Sequence, residues 1–201
     1  MGEMREALVF DYDGVIADTE PLHWKSWAAL LSPYGVQLGW DEYCRIGQGV
    51  SDAQIFEHFG SQMRLAGADE LSRLNRERKQ MVREWSLTES PIPRETVAML
   101  RALGDYRVGL VTSSEKTDVE PVLRAAEIYD RFDGMVFGGE PTAPKPSPAP
   151  YLLIAERMGV KTGIAFEDSE PGLASARAAG FTAVRIARPG DLAEIVAISL
   201  R

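Results

Sequence analysis

Five short apolar runs limit this chain most: Ala7-Leu8-Val9-Phe10, Val108-Gly109-Leu110-Val111, Met135-Val136-Phe137, Gly163-Ile164-Ala165-Phe166 and Ala183-Val184-Arg185-Ile186. Each is too short for a typical helix, and most are rich in β-branched or aromatic residues, so each reads as a strand. Four are nearly continuous in apolar character, the pattern of strands covered on both faces. Helix-like stretches at 117–126, 149–158 and 171–179 separate the last four. Strand, helix and strand repeated in this way imply right-handed crossovers and a parallel α/β sheet.

The rhythm breaks between the first and second runs. Residues 18 to about 90 contain no convincing strand. Helices are expected at Pro21–Leu31, with Pro21 near the first helical position, at Ser51–Phe59, capped by Ser51 or Asp52, and at Asp69–Trp85. The last places Leu71, Leu74, Arg78, Met81, Val82 and Trp85 near one face. Pro91-Ile92-Pro93 marks the return to the sheet. The expected architecture is a Rossmann-like parallel-sheet core flanked by helices (residues 1–17 and 89–201), with an inserted all-helical cap domain at residues 18–88. A length of 201 residues suits one core with one modest insertion.

Charge and cysteine content narrow the function classes. The net charge of −8 repels nucleic acid and anionic membrane, so neither is expected as a partner, although a local positive site could still hold a small anion. Cys44 stands alone, which rules out an intrachain disulfide and suits a reducing compartment. No run approaches the roughly 20 apolar residues of a membrane span, and the first residues lack a signal-peptide core. A cytoplasmic monomer is expected.

The candidate chemistry sits where the apolar runs end. Asp11 and Asp13 follow the first run, two carboxylates at i and i+2, and Gly14 lets the backbone turn sharply towards a ligand. Ligands of open α/β folds bind at this end of the strands. Thr112-Ser113-Ser114 follow the second run with hydroxyls and N–H groups suited to an oxyanion. Lys145 lies in the proline-rich stretch GGEPTAPKPSPAP, and Glu167-Asp168 follow the fourth run. Each element alone has a plain reading as a helix cap or a solvated loop group. Together, on successive ends of one sheet, they form a constellation of acids, hydroxyls, one lysine and more acids. Paired acids of this kind need a cation or a proton between them, and Mg2+ suits an oxygen-rich site near phosphate.

These motifs resemble the haloacid dehalogenase superfamily. The resemblance rests on DxDGxxxDT at Asp11–Thr19, the strand-end Thr112, Lys145 in KPSP and the acidic pair in FEDSEPGL, and it covers essentially the whole chain. It implies that Asp11 is a nucleophile forming an aspartyl-phosphate and that Asp13 is the general acid and base. It implies that Thr112, the Ser113 amide and the Ser114 hydroxyl hold phosphate oxygens, and that Lys145 neutralises Asp11 and the phosphoryl group. Mg2+ would be held by Asp11, the Asp13 carbonyl and Asp168, with Glu167 either a direct ligand or one step removed.

Asp13 argues against a dehalogenase, which has no leaving oxygen to protonate. The contest is between a Mg2+-dependent phosphatase of a small phosphorylated metabolite and a β-phosphoglucomutase-like sugar phosphomutase. His23 corresponds to a residue that helps gate Asp13 in the mutases. The segment Gly47–Asp52 resembles a substrate-facing loop, in which mutases typically carry a lysine at Gln48 and an arginine at Asp52 to hold a second phosphate. Their replacement favours the phosphatase, although Arg45 could compensate. A non-catalytic binding protein is the third reading, and the intact motifs weigh against it.

Overall fold

A computed structural model describes residues 7–47, 52–63 and 68–200. The chain separates into two compact units: Met1–Asp18 with Ser90–Arg201, and Thr19–Glu89. Among the described residues, no helix is long and apolar enough to cross a membrane.

The first unit is a five-stranded, all-parallel sheet. Its strands are β1 (Ala7–Phe10), β2 (Arg107–Val111), β3 (Gly134–Val136), β4 (Gly163–Glu167) and β5 (Thr182–Arg185), in the order β3-β2-β1-β4-β5. β1 is wholly buried at the centre, which is why it carries no polar residue. Side chains alternate between the two faces of a strand. Leu8 and Phe10 join Val108, Leu110, Ile164 and Phe166 in one cluster, whereas Ala7 and Val9 join Val111, Val136 and Ala165 in another. Phe10 stacks on Phe166 at 4.9 Å.

β2, β3, β4 and β5 each differ from the sequence expectation by one residue at one end or both. β3 stops at Val136 because the Phe137 N–H donates to the Glu140 carboxylate (2.7 Å), turning the chain out of the sheet. β5 runs from Thr182 to Arg185 rather than from 183 to 186. The helices expected in this unit are present at Lys116–Ala125, Ala149–Met158 and Glu170–Ala178. Two more, at Arg94–Ala102 and Leu192–Ser199, were not expected. In chain order through both units the helices are α1 (Glu20–Leu31), α2 (Trp40–Ile46), α3 (Asp52–Met63), α4 (Ala68–Thr88), α5 (Arg94–Ala102), α6 (Lys116–Ala125), α7 (Ala149–Met158), α8 (Glu170–Ala178) and α9 (Leu192–Ser199).

The second unit contains α1 to α4, of which α2 was not foreseen. Its core gathers Trp27, Leu30, Leu31, Tyr43, Phe56, Phe59 and Leu74. Arg78, which the sequence places on the apolar face of α4, is indeed buried. Its guanidinium donates to Asp52 Oδ2 (2.7 Å), lies 3.2 Å from His23 Nδ1 and stacks over Trp27 at 4.9 Å. That pairing lets a cation occupy a core position.

Candidate active site

Period-two alternation and strand register build the site. Val9 and Ala165 face the side of the sheet covered by α7, so Asp11 and Glu167, two residues further along, emerge on that same side. The pairing of Phe10 with Phe166 places the two acids on adjacent strand ends, and the Asp11 N–H donates to the Phe166 carbonyl (3.0 Å). Glu167 is the last residue of β4 and is fully buried.

Lys145 comes from the loop that leads into α7. Its Nζ lies 2.9 Å from Asp11 Oδ1 and 2.6 Å from Glu167 Oε1, and donates to the Val111 carbonyl at 3.2 Å. The ammonium thus hydrogen-bonds Asp11 and the Val111 carbonyl and pairs its charge with Glu167. The Tyr151 hydroxyl donates to the same Glu167 Oε1 at 2.6 Å.

The β2 end forms a second cradle. The Ser114 N–H donates to Thr112 Oγ1 (3.0 Å), which leaves the Thr112 hydroxyl hydrogen to donate elsewhere. The Ser114 hydroxyl donates to Asp13 Oδ2 at 2.6 Å. The resemblance gives this hydroxyl a phosphate oxygen; here its partner is Asp13. Thr112, Ser113 and Lys145 line a cavity of about 280 Å³, walled by Gly138, Gly139 and prolines of the proline-rich loop. Gly14 has a φ of +74°, and a Cβ there would lie 2.2 Å from Asp168 Oδ2, so only glycine admits Asp168 this close.

Carboxylate oxygens of Asp11, Glu167 and Asp168 lie within 4.8 Å of one another. Burial raises the affinity of Asp11 for its proton, opposed by the Lys145 charge. Burial, and then the charge of Asp11, push Glu167 up to about 7 and Asp168 up to about 6. Burial works against the charge on Lys145, but Asp11 and Glu167 together outweigh it and hold the ammonium protonated. Three acids against one lysine leave a formal surplus of two negative charges. Glu167 Oε2 is also buried without a hydrogen-bond partner. An all-oxygen donor set with that surplus fits a hard divalent cation.

The raised carboxyls make metal-free stability depend on pH. A carboxyl with a folded pKa above its unfolded value binds more protons in the folded state, so its contribution to stability falls as pH rises between the two values. For Glu167 that window runs from 4.5 to about 7. In EDTA, wild type should lose stability relative to Glu167→Gln as pH rises through that window, from 4.5 to about 7. Urea unfolding across that range checks this, and a constant gap between the two proteins would contradict it.

The structure thus gathers Asp11, Asp13, Gly14, Thr112, Ser113, Ser114, Lys145, Glu167 and Asp168 at the C-terminal ends of β1, β2 and β4 and the loop before α7. His23 lies on α1 in the second unit, beside Arg78. Gln48 lies outside the described residues. Tyr151 was not anticipated. In the sequence it reads as a core aromatic of α7, with Ile154, Ala155 and Met158 at helical spacing, and nothing local marks its hydroxyl.

The family model for haloacid dehalogenase-like hydrolases matches residues 8–186. A fructose-1-phosphate phosphatase, YqaB, of Escherichia coli is 33% identical over 189 residues, covering 92% of this chain and 98% of that protein. A phosphorylated carbohydrates phosphatase of Thermotoga maritima is 32% identical over 179 residues, covering 87% and 82%. The crystal structure of a β-phosphoglucomutase from Clostridium difficile superposes with a TM-score of 0.70 at 26% identity, covering 94% of this chain and 87% of that one.

Proposed function

The chain belongs to the haloacid dehalogenase-like hydrolases, and on that premise we propose that it is a Mg2+-dependent phosphatase of a small phosphorylated carbohydrate, working through an aspartyl-phosphate. The observation that carries this reading is Lys145 bridging Asp11 and Glu167 at the edge of a cavity that Thr112 and Ser113 also line. The names of the two phosphatase relatives support the sugar class.

Asp11, Glu167 and Asp168 would hold the cation, with the Asp13 carbonyl as a further ligand. When bound, Mg2+ offsets charge that would keep a phosphate dianion from a carboxylate. The Thr112 hydroxyl, the Ser113 N–H and Lys145 bind the phosphoryl oxygens, and this positioning and neutralisation is most of what phosphoryl transfer asks of a protein. Asp11 forms a bond to phosphorus as the ester P–O bond breaks, and Asp13 gives its proton to the departing sugar oxygen. Asp13 then takes a proton from the water that attacks the aspartyl-phosphate, releasing inorganic phosphate and restoring Asp11. The Ser114 hydroxyl orients the Asp13 carboxyl for both transfers. The acidic charge and the lone cysteine support a cytoplasmic location.

The mutase alternative needs helical-unit cations to hold a second phosphate. Asp52 replaces one such cation, and its carboxylate also occupies the guanidinium of Arg78. A panel of sugar phosphates, read by released phosphate, tests the choice. Release should occur with Mg2+ and stop in EDTA. No release from any substrate would overturn the phosphatase, and sugar-phosphate isomerisation outrunning release with a bisphosphate primer would establish the mutase.

A further inference from the structure

We propose that Tyr151 is a positioning residue for the cation end of this site: its hydroxyl, by donating to Glu167 Oε1 beside Lys145, aims the Glu167 carboxylate at the cation shared with Asp11 and Asp168. The inference rests on the Mg2+ reading above and adds a residue that neither the motifs nor the resemblance supplied.

The Glu167 carboxylate is held asymmetrically. Oε1 receives both Lys145 Nζ and the Tyr151 hydroxyl, each at 2.6 Å. Oε2 receives no hydrogen bond, and it sits over Gly172, where a Cβ would come within 2.0 Å of it. The last torsion of a glutamate is broad, so burial alone does not choose its rotation. Lys145 cannot choose it alone either, because its ammonium is a rotatable point charge that also serves Asp11 and the Val111 carbonyl.

Tyr151 is the stiff partner. It is fully buried, packs against Phe181 at 5.5 Å and stands on the first turns of α7 with Ile154 and Met158 behind it. A tyrosine has two side-chain torsions, and here the core fixes both. Packing at this position asks only for the ring, which phenylalanine would supply. The hydroxyl adds a directed donor to a buried acid.

Removing that hydroxyl has two opposed effects on cation affinity. A carboxylate that has lost a donor becomes more basic and binds a cation more tightly. A carboxylate that has lost its orientation binds more weakly. Loss of an outer-shell partner typically weakens metal binding by about 10- to 100-fold, so orientation outweighs basicity.

The test is Tyr151→Phe in the full chain, with Mg2+ titrated calorimetrically into metal-free wild type and variant. Phosphate release is followed against Mg2+ concentration in parallel, and thermal melting in EDTA confirms folding. The expected result is a Mg2+ Kd raised about tenfold or more in the variant, with activity recovering as Mg2+ is raised. A merely structural hydroxyl would lower the melting temperature without moving Mg2+ affinity, and equal affinity in the two proteins overturns the proposal. Failure of wild type itself to take up Mg2+ overturns the metal reading, and this inference with it.

Discussion

Asp11→Asn should abolish phosphate release while leaving the fold intact. The amide fills nearly the same volume at the end of β1, and Lys145 keeps Glu167 as its partner at 2.6 Å. What disappears is the oxygen able to bond to phosphorus. Removing a nucleophile that works as part of a unit costs on the order of 10⁴-fold or more in kcat, because the remaining groups only bind. Two measurements check this: steady-state release, and acid-quench trapping of phosphate on the protein. Wild type should carry trapped phosphate and the variant none. Turnover undiminished in Asp11→Asn would remove the proposed nucleophile.

Lys145→Met should show the second large effect, on stability and rate together. Methionine replaces the stem but not the charge. Asp11 and Glu167 are then left buried without the ammonium that lies 2.9 and 2.6 Å from them. Breaking a buried ion pair by removing one partner costs about 3–5 kcal/mol. Proton uptake by the two acids offsets part of this at low pH, so the loss in EDTA should be larger near pH 8 than near pH 5. Urea unfolding at both values reads it. The rate at saturating Mg2+ should fall about 10²–10³-fold, the usual consequence of removing one transition-state donor. A variant as stable and as fast as wild type would show that Lys145 is only a loop lysine.

Legibility in the sequence followed chain locality. Most of the strands could be read because a parallel strand covered on both faces must be apolar throughout, as β1 is. The helices opened by proline signals were likewise visible, Pro21 at the start of α1 among them. Helices α2, α5 and α9 were missed, and all three are short, spanning seven, nine and eight residues. Arg78 looked like part of an apolar stripe, and only the fold revealed the Asp52 and Trp27 partners that make its burial tolerable.

The amino-acid order by itself determined which groups stand at strand ends, since polar chemistry can enter such a sheet only where the chain leaves it. Asp11, Thr112 and Glu167 were therefore recognisable one strand at a time. Tertiary structure alone decided their pairing: that Lys145 bridges Asp11 and Glu167, that the Ser114 hydroxyl serves Asp13, and that Tyr151 reaches Glu167. Those contacts depend on the strand order β3-β2-β1-β4-β5 and on the register that sets Phe10 beside Phe166. The pairings of β1 with β2 and with β4 join segments far apart in the chain, and no local pattern encodes them.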